Sequence, residues 1–132
     1  MNTSDPDRDP LAELYDLYDT PPDLAECLLF SVHVDERDVS VTLRFETHTL
    51  PDRPRPEWHG RSYNTFFFSL VFTGVAGFRL RGLLADDKRE VSLRPTGDGS
   101  LTVSVTGPHR AMEFTAAAVS LADPGVQLQG SP

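Results

Sequence analysis

The sequence predicts a mainly β, single-domain antiparallel fold, a sandwich or half-barrel of about seven strands with one short N-terminal helix. Three observations carry that prediction. Apolar and polar residues alternate with period two in short runs between Leu28 and Leu121. Turn signals separate the runs at close spacing, the strongest being Thr-Gly-Asp-Gly-Ser at 96–100. Helical spacing occurs once, near the N-terminus. A chain of 132 residues suits one domain.

Residues 1–8 read as a disordered acidic leader. The helix is expected over 9–18. Asp9 can cap it, Pro10 suits its first position, and Leu11, Leu14, Tyr15 and Tyr18 recur at i, i+3, i+4 and i+7. Thr20-Pro21-Pro22 ends it, because proline cannot continue a helix. So short a helix is marginal alone and should dock its apolar stripe on a sheet, capping one open side. Leu28, Phe30, Val32 and Val34 then form one face of a strand, and Val39, Val41, Leu43 and Phe45 one face of the next. The polar turn Asp35-Glu36-Arg37-Asp38 joins them. Facing Val34 with Val39 pairs Val32 with Val41, Phe30 with Leu43 and Leu28 with Phe45, so every pair is apolar.

Residues 46–63 form a long loop stiffened by Pro51, Pro54 and Pro56 and carrying Trp58, His59 and Tyr63. Such loops are often functional, although the simpler reading is that Trp58 and Tyr63 tack this one to the core. The strand over 65–72 is apolar on both sides, through Phe66, Phe68, Leu70 and Phe72 on one and Phe67 and Val71 on the other. It is expected to be central and covered on both faces. Shorter strands follow around Phe78–Arg81, Val91–Leu93 and Leu101–Thr106. A closing strand starts at Met112, and a phase change at Ala116-Ala117-Ala118 marks a bulge or bend in it before Val119 and Leu121. The domain is expected to span 9–121, leaving 122–132 as a flexible tail.

Twelve bases and twenty acids give a net charge of −8. Residues 1–26 hold eight of the acids and one base, so the charge belongs to the leader and helix, and the rest is nearly neutral. That balance speaks against nucleic acid or an anionic membrane as partner. No run is long and apolar enough for a membrane span, and the acidic N-terminus is unlike a signal peptide. With one cysteine, Cys27, no internal disulfide can form, and the sequence reads as cytoplasmic.

Catalytic signatures are missing. His33, His48, His59 and His109 are scattered, and only His48 and His59 share a loop that could assemble a metal site. Gly97-Asp98-Gly99 lacks the helix of a phosphate cradle. Asp86-Asp87 stands beside Lys88 and Arg89 as a solvated corner. Cys27 has no neighbouring base to activate it. The sequence supports no catalytic, cofactor-binding or metal-binding residue, and reads as a non-enzyme. Surface features remain: the acids Asp16, Asp19 and Asp23, the acidic turn Asp35, Glu36 and Asp38, and the aromatics Trp58 and Tyr63. These are the candidate partner-binding residues. Acidic patches steer cationic partners, and aromatics anchor protein contacts. A second reading, a binder of a small apolar ligand, rests on Phe66, Phe67, Phe68, Phe72 and Phe78 near one strand.

The order of these features resembles an actinobacterial family of small immunity proteins of polymorphic toxin systems, immunity protein family fifty. The resembling stretch runs from about Leu14 to Leu121. It includes Pro21-Pro22, the opening strands at 28–45, PEWHGRSYNT at 56–65, LVFTGVAGFRLRG at 70–82, TGDGSLTVSVTG at 96–107 and MEFTAAAVSL at 112–121. Its most specific pieces are Pro56-x-Trp58, Tyr63-Asn64 and Phe72-x-Gly74-Val75. The resemblance implies a cytoplasmic protein that binds and neutralises the catalytic domain of a secreted toxin by stoichiometric occlusion, with no active site of its own. A basic, nuclease-like toxin domain would suit the acidic helix and turn. No family-wide contact motif maps onto positions of this chain.

Overall fold

Phe72 of strand β3 (Thr65–Thr73) and Phe114 of strand β7 (Ala111–Ala116) meet edge to face with ring centroids 5.3 Å apart, and that contact joins two sheets. The computed structural model describes residues 11–82 and 89–129. Among them, the first sheet has the order β1 (Leu28–Asp35), β2 (Ser40–Thr47), β3, β8 (Ala118–Gln127). The second has the order β4 (Ala76–Arg81), β7, β6 (Leu101–Thr106), β5 (Glu90–Pro95). Every pairing is antiparallel. The architecture is a β-sandwich of two four-stranded sheets, not a closed barrel.

The interior follows from the alternation. Val41, Leu43 and Phe45 of β2 and Phe66, Phe68 and Phe72 of β3 are wholly buried. Across the gap lie Val103, Val105, Met112 and Phe114. β3 is central, as its apolarity predicts, but its second face is only partly closed: Phe67 and Val71 are half-buried there. The ring of Phe67 lies across Gly125, where an added Cβ would come within 2.8 Å of it. The Phe side chains that suggested a ligand pocket mostly fill the core against one another, Phe66 on Phe68 and Phe78 on Phe114.

Three differences from the sequence reading have clear causes. The strand expected to bend at Ala117 is divided there into β7 and β8, which belong to different sheets and raise the strand number to eight. β8 continues to Gln127, pairs with Thr65 and buries Val126, so ordered structure runs six residues past the expected end at Leu121. An irregularity near Asp123-Pro124 hides this strand from a period-two reading. The first hairpin keeps its pattern but shifts its register. Val34 pairs with Val41, Val32 with Leu43 and Leu29 with Phe45, because Val39 is in the turn and a bulge falls between Leu29 and Ser31. The bulge puts Leu29 in the core at 2% exposure and leaves Phe30 45% exposed.

The expected helix is a five-residue 3-10 turn, Ala12–Asp16, followed by a second one, Leu24–Glu26. So short a stretch makes too few backbone bonds to stand alone, and it is held by burial of Leu14, Leu17 and Tyr18. The leader at 1–8, the cap at Asp9 and Pro10, the Asp86-Asp87-Lys88 corner and the last three residues lie outside the described residues.

Candidate partner-binding site

The 3-10 turn Ala12–Asp16 ends in carbonyls with no partner inside it, and the Pro-rich loop supplies one. Arg53 donates from Nε to the Asp16 carbonyl (3.2 Å) and from one terminal nitrogen to the carbonyls of Tyr15 (2.5 Å) and Tyr18 (2.9 Å). Its other terminal nitrogen pairs with the Asp19 carboxylate, and its backbone N–H donates to Leu17. The Tyr18 hydroxyl donates to the carbonyl of Thr49, and Trp58 packs edge to face on Phe66 at 6.0 Å. Loop and turn are therefore one unit. Arg53→Ala is expected to cost roughly 1–2 kcal/mol, discounted because the side chain is half exposed, and circular dichroism melts will show the loss.

The same turn covers an edge of the first sheet. The Leu121 N–H of β8 donates to the Glu13 carboxylate at 2.9 Å. Between turn, loop and strand lies a groove of about 400 Å³ with Leu17, Pro54, Pro56, Leu121 and Pro124 among its lining residues and Glu13, Asp16, Arg53 and Arg55 adding charge. The Asp16 carboxylate has no hydrogen-bond or ion-pair partner among the described residues.

The structure disperses the predicted partner-binding residues. Asp16 and Asp19 flank Arg53 in this unit. Asp23 caps the second 3-10 turn by accepting from the Ala25 N–H at 3.0 Å. Asp35, Glu36 and Asp38 lie at the other end of the sheet, beyond the eight residues of β2, about 25 Å away. The two acidic groups cannot form one patch. The Asp35 carboxylate is taken up in its own turn, accepting from the N–H groups of Arg37 (3.0 Å) and Asp38 (3.3 Å), whereas Glu36 and Asp38 face solvent. Trp58 is a correction: at 4% exposure it is a core residue that anchors the loop and has no face to offer a partner. Tyr63 is half-buried against the same core.

Two buried groups hold their protons more tightly than usual. Burial pushes the Cys27 thiol up to about 11, against lesser opposing effects from Thr47 and Arg89. Burial likewise raises the Tyr18 hydroxyl, with Cys27 and Asp52 adding to the shift. The unfolded chain releases these protons from about pH 9 upward, while the folded chain retains them. Stability intact below about pH 9 should therefore fall as pH rises towards 11, and melts between pH 8 and 11 will show it. Among the described residues no three His, Cys, Asp or Glu come close enough to hold a metal, and His48 instead contacts the Asn64 carbonyl at 3.0 Å. No helix among them is long and apolar enough to cross a membrane.

The sequence model of the family described as Immunity protein 50 matches residues 12–127. The chain belongs to the Immunity protein 50 family. No curated protein and no solved structure matches it. Membership points to a toxin-neutralising, non-catalytic role with a cognate toxin as partner.

For an immunity protein the informative surfaces are those left open, and one of them escaped the sequence reading. Strand β1 is a sheet edge on which Leu28, Phe30 and Val34 are 38%, 45% and 44% exposed. Arg44 of the neighbouring strand lies over the Phe30 ring at 5.6 Å. Alternation marks Phe30 as a core residue, and only the bulge, which leaves no trace in composition, turns it outward.

Proposed function

We propose that this immunity protein binds the catalytic domain of its cognate toxin as a stoichiometric inhibitor and neutralises it by covering the toxin's active cleft. The observation that carries the reading is an excess of acid, part of it exposed and unpaired. Arg53 is committed to the end of a 3-10 turn, Arg55 lies over Trp58, Arg44 over Phe30, and Arg79 pairs with Glu113. Asp16, Glu36 and Asp38 are exposed with side chains that no base among the described residues engages. Arg37, Arg81 and Arg94 are exposed as well, but acids outnumber bases twenty to twelve over the chain, so the long-range field favours a cationic partner and speeds its encounter. A toxin domain with a basic, nuclease-like cleft fits that field, and the cytoplasm is where such a toxin would harm its producer.

The test is co-expression with the toxin domain encoded by the adjacent gene. The expected result is survival of the host and a 1:1 complex on size-exclusion chromatography. Persistent toxicity with both proteins soluble and uncomplexed overturns the reading.

A further inference from the structure

The structure carries the toxin reading one step further: we infer that the open edge of β1 is a docking edge for an extended segment of the toxin, uncharged in its middle and basic at both ends, added as a fifth strand to the first sheet. This rests on the toxin reading. A bare sheet edge offers unpaired N–H and C=O groups, and proteins usually guard such edges. β8 is guarded by the Ala12–Asp16 turn, with Glu13 on its Leu121 N–H, and by Pro124. β5 has the second 3-10 turn against it and ends in Pro95. β4 carries Arg79 and Arg81 and an irregularity in its pairing after Ala76. β1 carries neither proline nor lysine, and between Leu28 and Val34 its one ionisable side chain is the imidazole of His33. Its bulge lies at its start and leaves Ser31–Asp35 in regular pairing with Ser40–Arg44.

Charge selects the occupant. Asp23 and Glu26 stand just before this strand, and Asp35, Glu36 and Asp38 close it, with the single base Arg37 among them, so both ends are net acidic. An apolar edge bracketed by acids matches a segment with basic ends. A second copy pairing antiparallel across a two-fold axis would set its own acidic turn against Glu26 and Asp23, like charge on like. Val39 lies in the turn beside these acids. It is half exposed and held at φ 53°, a left-handed conformation that a β-branched residue adopts only under strain. Its carbonyl accepts from the Val75 N–H at 3.1 Å, which fixes the tip.

Amide hydrogen exchange on the full chain tests this. One probe is a nine-residue synthetic peptide with two arginines at each end and alternating valine and threonine between them; the other is the toxin domain from the adjacent gene. Each is expected to slow exchange of outward-directed amides within Ser31–Asp35 by about tenfold or more. Val34→Lys should remove the peptide's effect with little change in thermal midpoint. Glu36→Lys with Asp38→Lys, both at exposed positions, should weaken peptide binding about tenfold and flatten its salt dependence. Val39→Gly should raise the thermal midpoint and leave the peptide's effect unchanged, since Val39 bonds Val75 on the far side of β2 from this edge. A toxin complex that forms with β1 exchange unchanged overturns the docking edge and leaves the toxin reading standing. With no complex, the toxin reading falls and the peptide decides the edge alone, unaffected amides overturning it. Protection of β1 that grows with protein concentration, without either probe, assigns the edge to a second copy and overturns the inference.

Discussion

Phe114→Ala is expected to remove about 3–5 kcal/mol of stability and to lower the thermal midpoint by about 10 °C or more. The side chain is 1% exposed and touches Phe72 of the opposite sheet and Phe78 of its own. Truncation loses the transfer free energy of the ring and leaves a void that two rigid sheets cannot collapse to fill. Domains of this size hold only about 5–15 kcal/mol in total, so the variant should stand near the edge of folding. Urea titration followed by tryptophan fluorescence is a direct measure, since Trp58 is buried only in the folded chain. A loss below about 1 kcal/mol would mean that the sheets are not packed through this contact.

Gly74→Val should be comparably severe, at about 3 kcal/mol or more, for a different reason. Gly74 sits where the chain leaves β3 for the second sheet, with φ at +62°. A Cβ there would lie 2.7 Å from the Cβ of Ala117, where the chain passes back from β7 to β8. Left-handed strain costs about 1–2 kcal/mol for an ordinary residue, and the clash falls between two backbone crossings that cannot both give way. The paired variant Gly74→Val with Ala117→Gly separates the two contributions. It should recover the part due to crowding and leave the part due to the dihedral angle, as read from melts of the three proteins.

Legibility followed the physics of each signal. Period-two alternation reports which side of a strand meets the core, so the strands of both sheets and the buried faces of β2, β3, β6 and β7 could be read directly. It does not report pairing register. The first hairpin therefore slipped by two residues on β2, because Val39 takes a turn conformation that its side chain argues against. β8 was half hidden by Asp123-Pro124, which reads as loop although proline is tolerated in an edge strand. For the site, composition located the acids but not their separation, which depends on a strand's length lying between them. Trp58 shows the ambiguity of a large aromatic in a polar loop: the same ring can anchor a partner or, as here, the loop itself. The β1 edge could not be read at all, since being an edge is a property of sheet order and not of any one strand.

The two crossings at Gly74 and Ala117 also bear on how the chain folds. β3 continues into β4, β7 continues into β8, and each half of the first pairs with a half of the second: Ala76 with Thr115 and Thr73 with Ala118. Residues 65–82 and 111–127 are thus a single bent two-stranded ribbon that enters both sheets. Its halves lie far apart along the chain, so its formation pays a large loop-closure entropy before any pairing rewards it. Folding on the millisecond-to-second scale is the corresponding expectation, with this ribbon as the slow event. The segment before β1 rests on that ribbon, through Glu13 on the Leu121 N–H and Tyr18 on the Phe66 ring, so the expectation is that this acidic end of the molecule docks after the ribbon has formed.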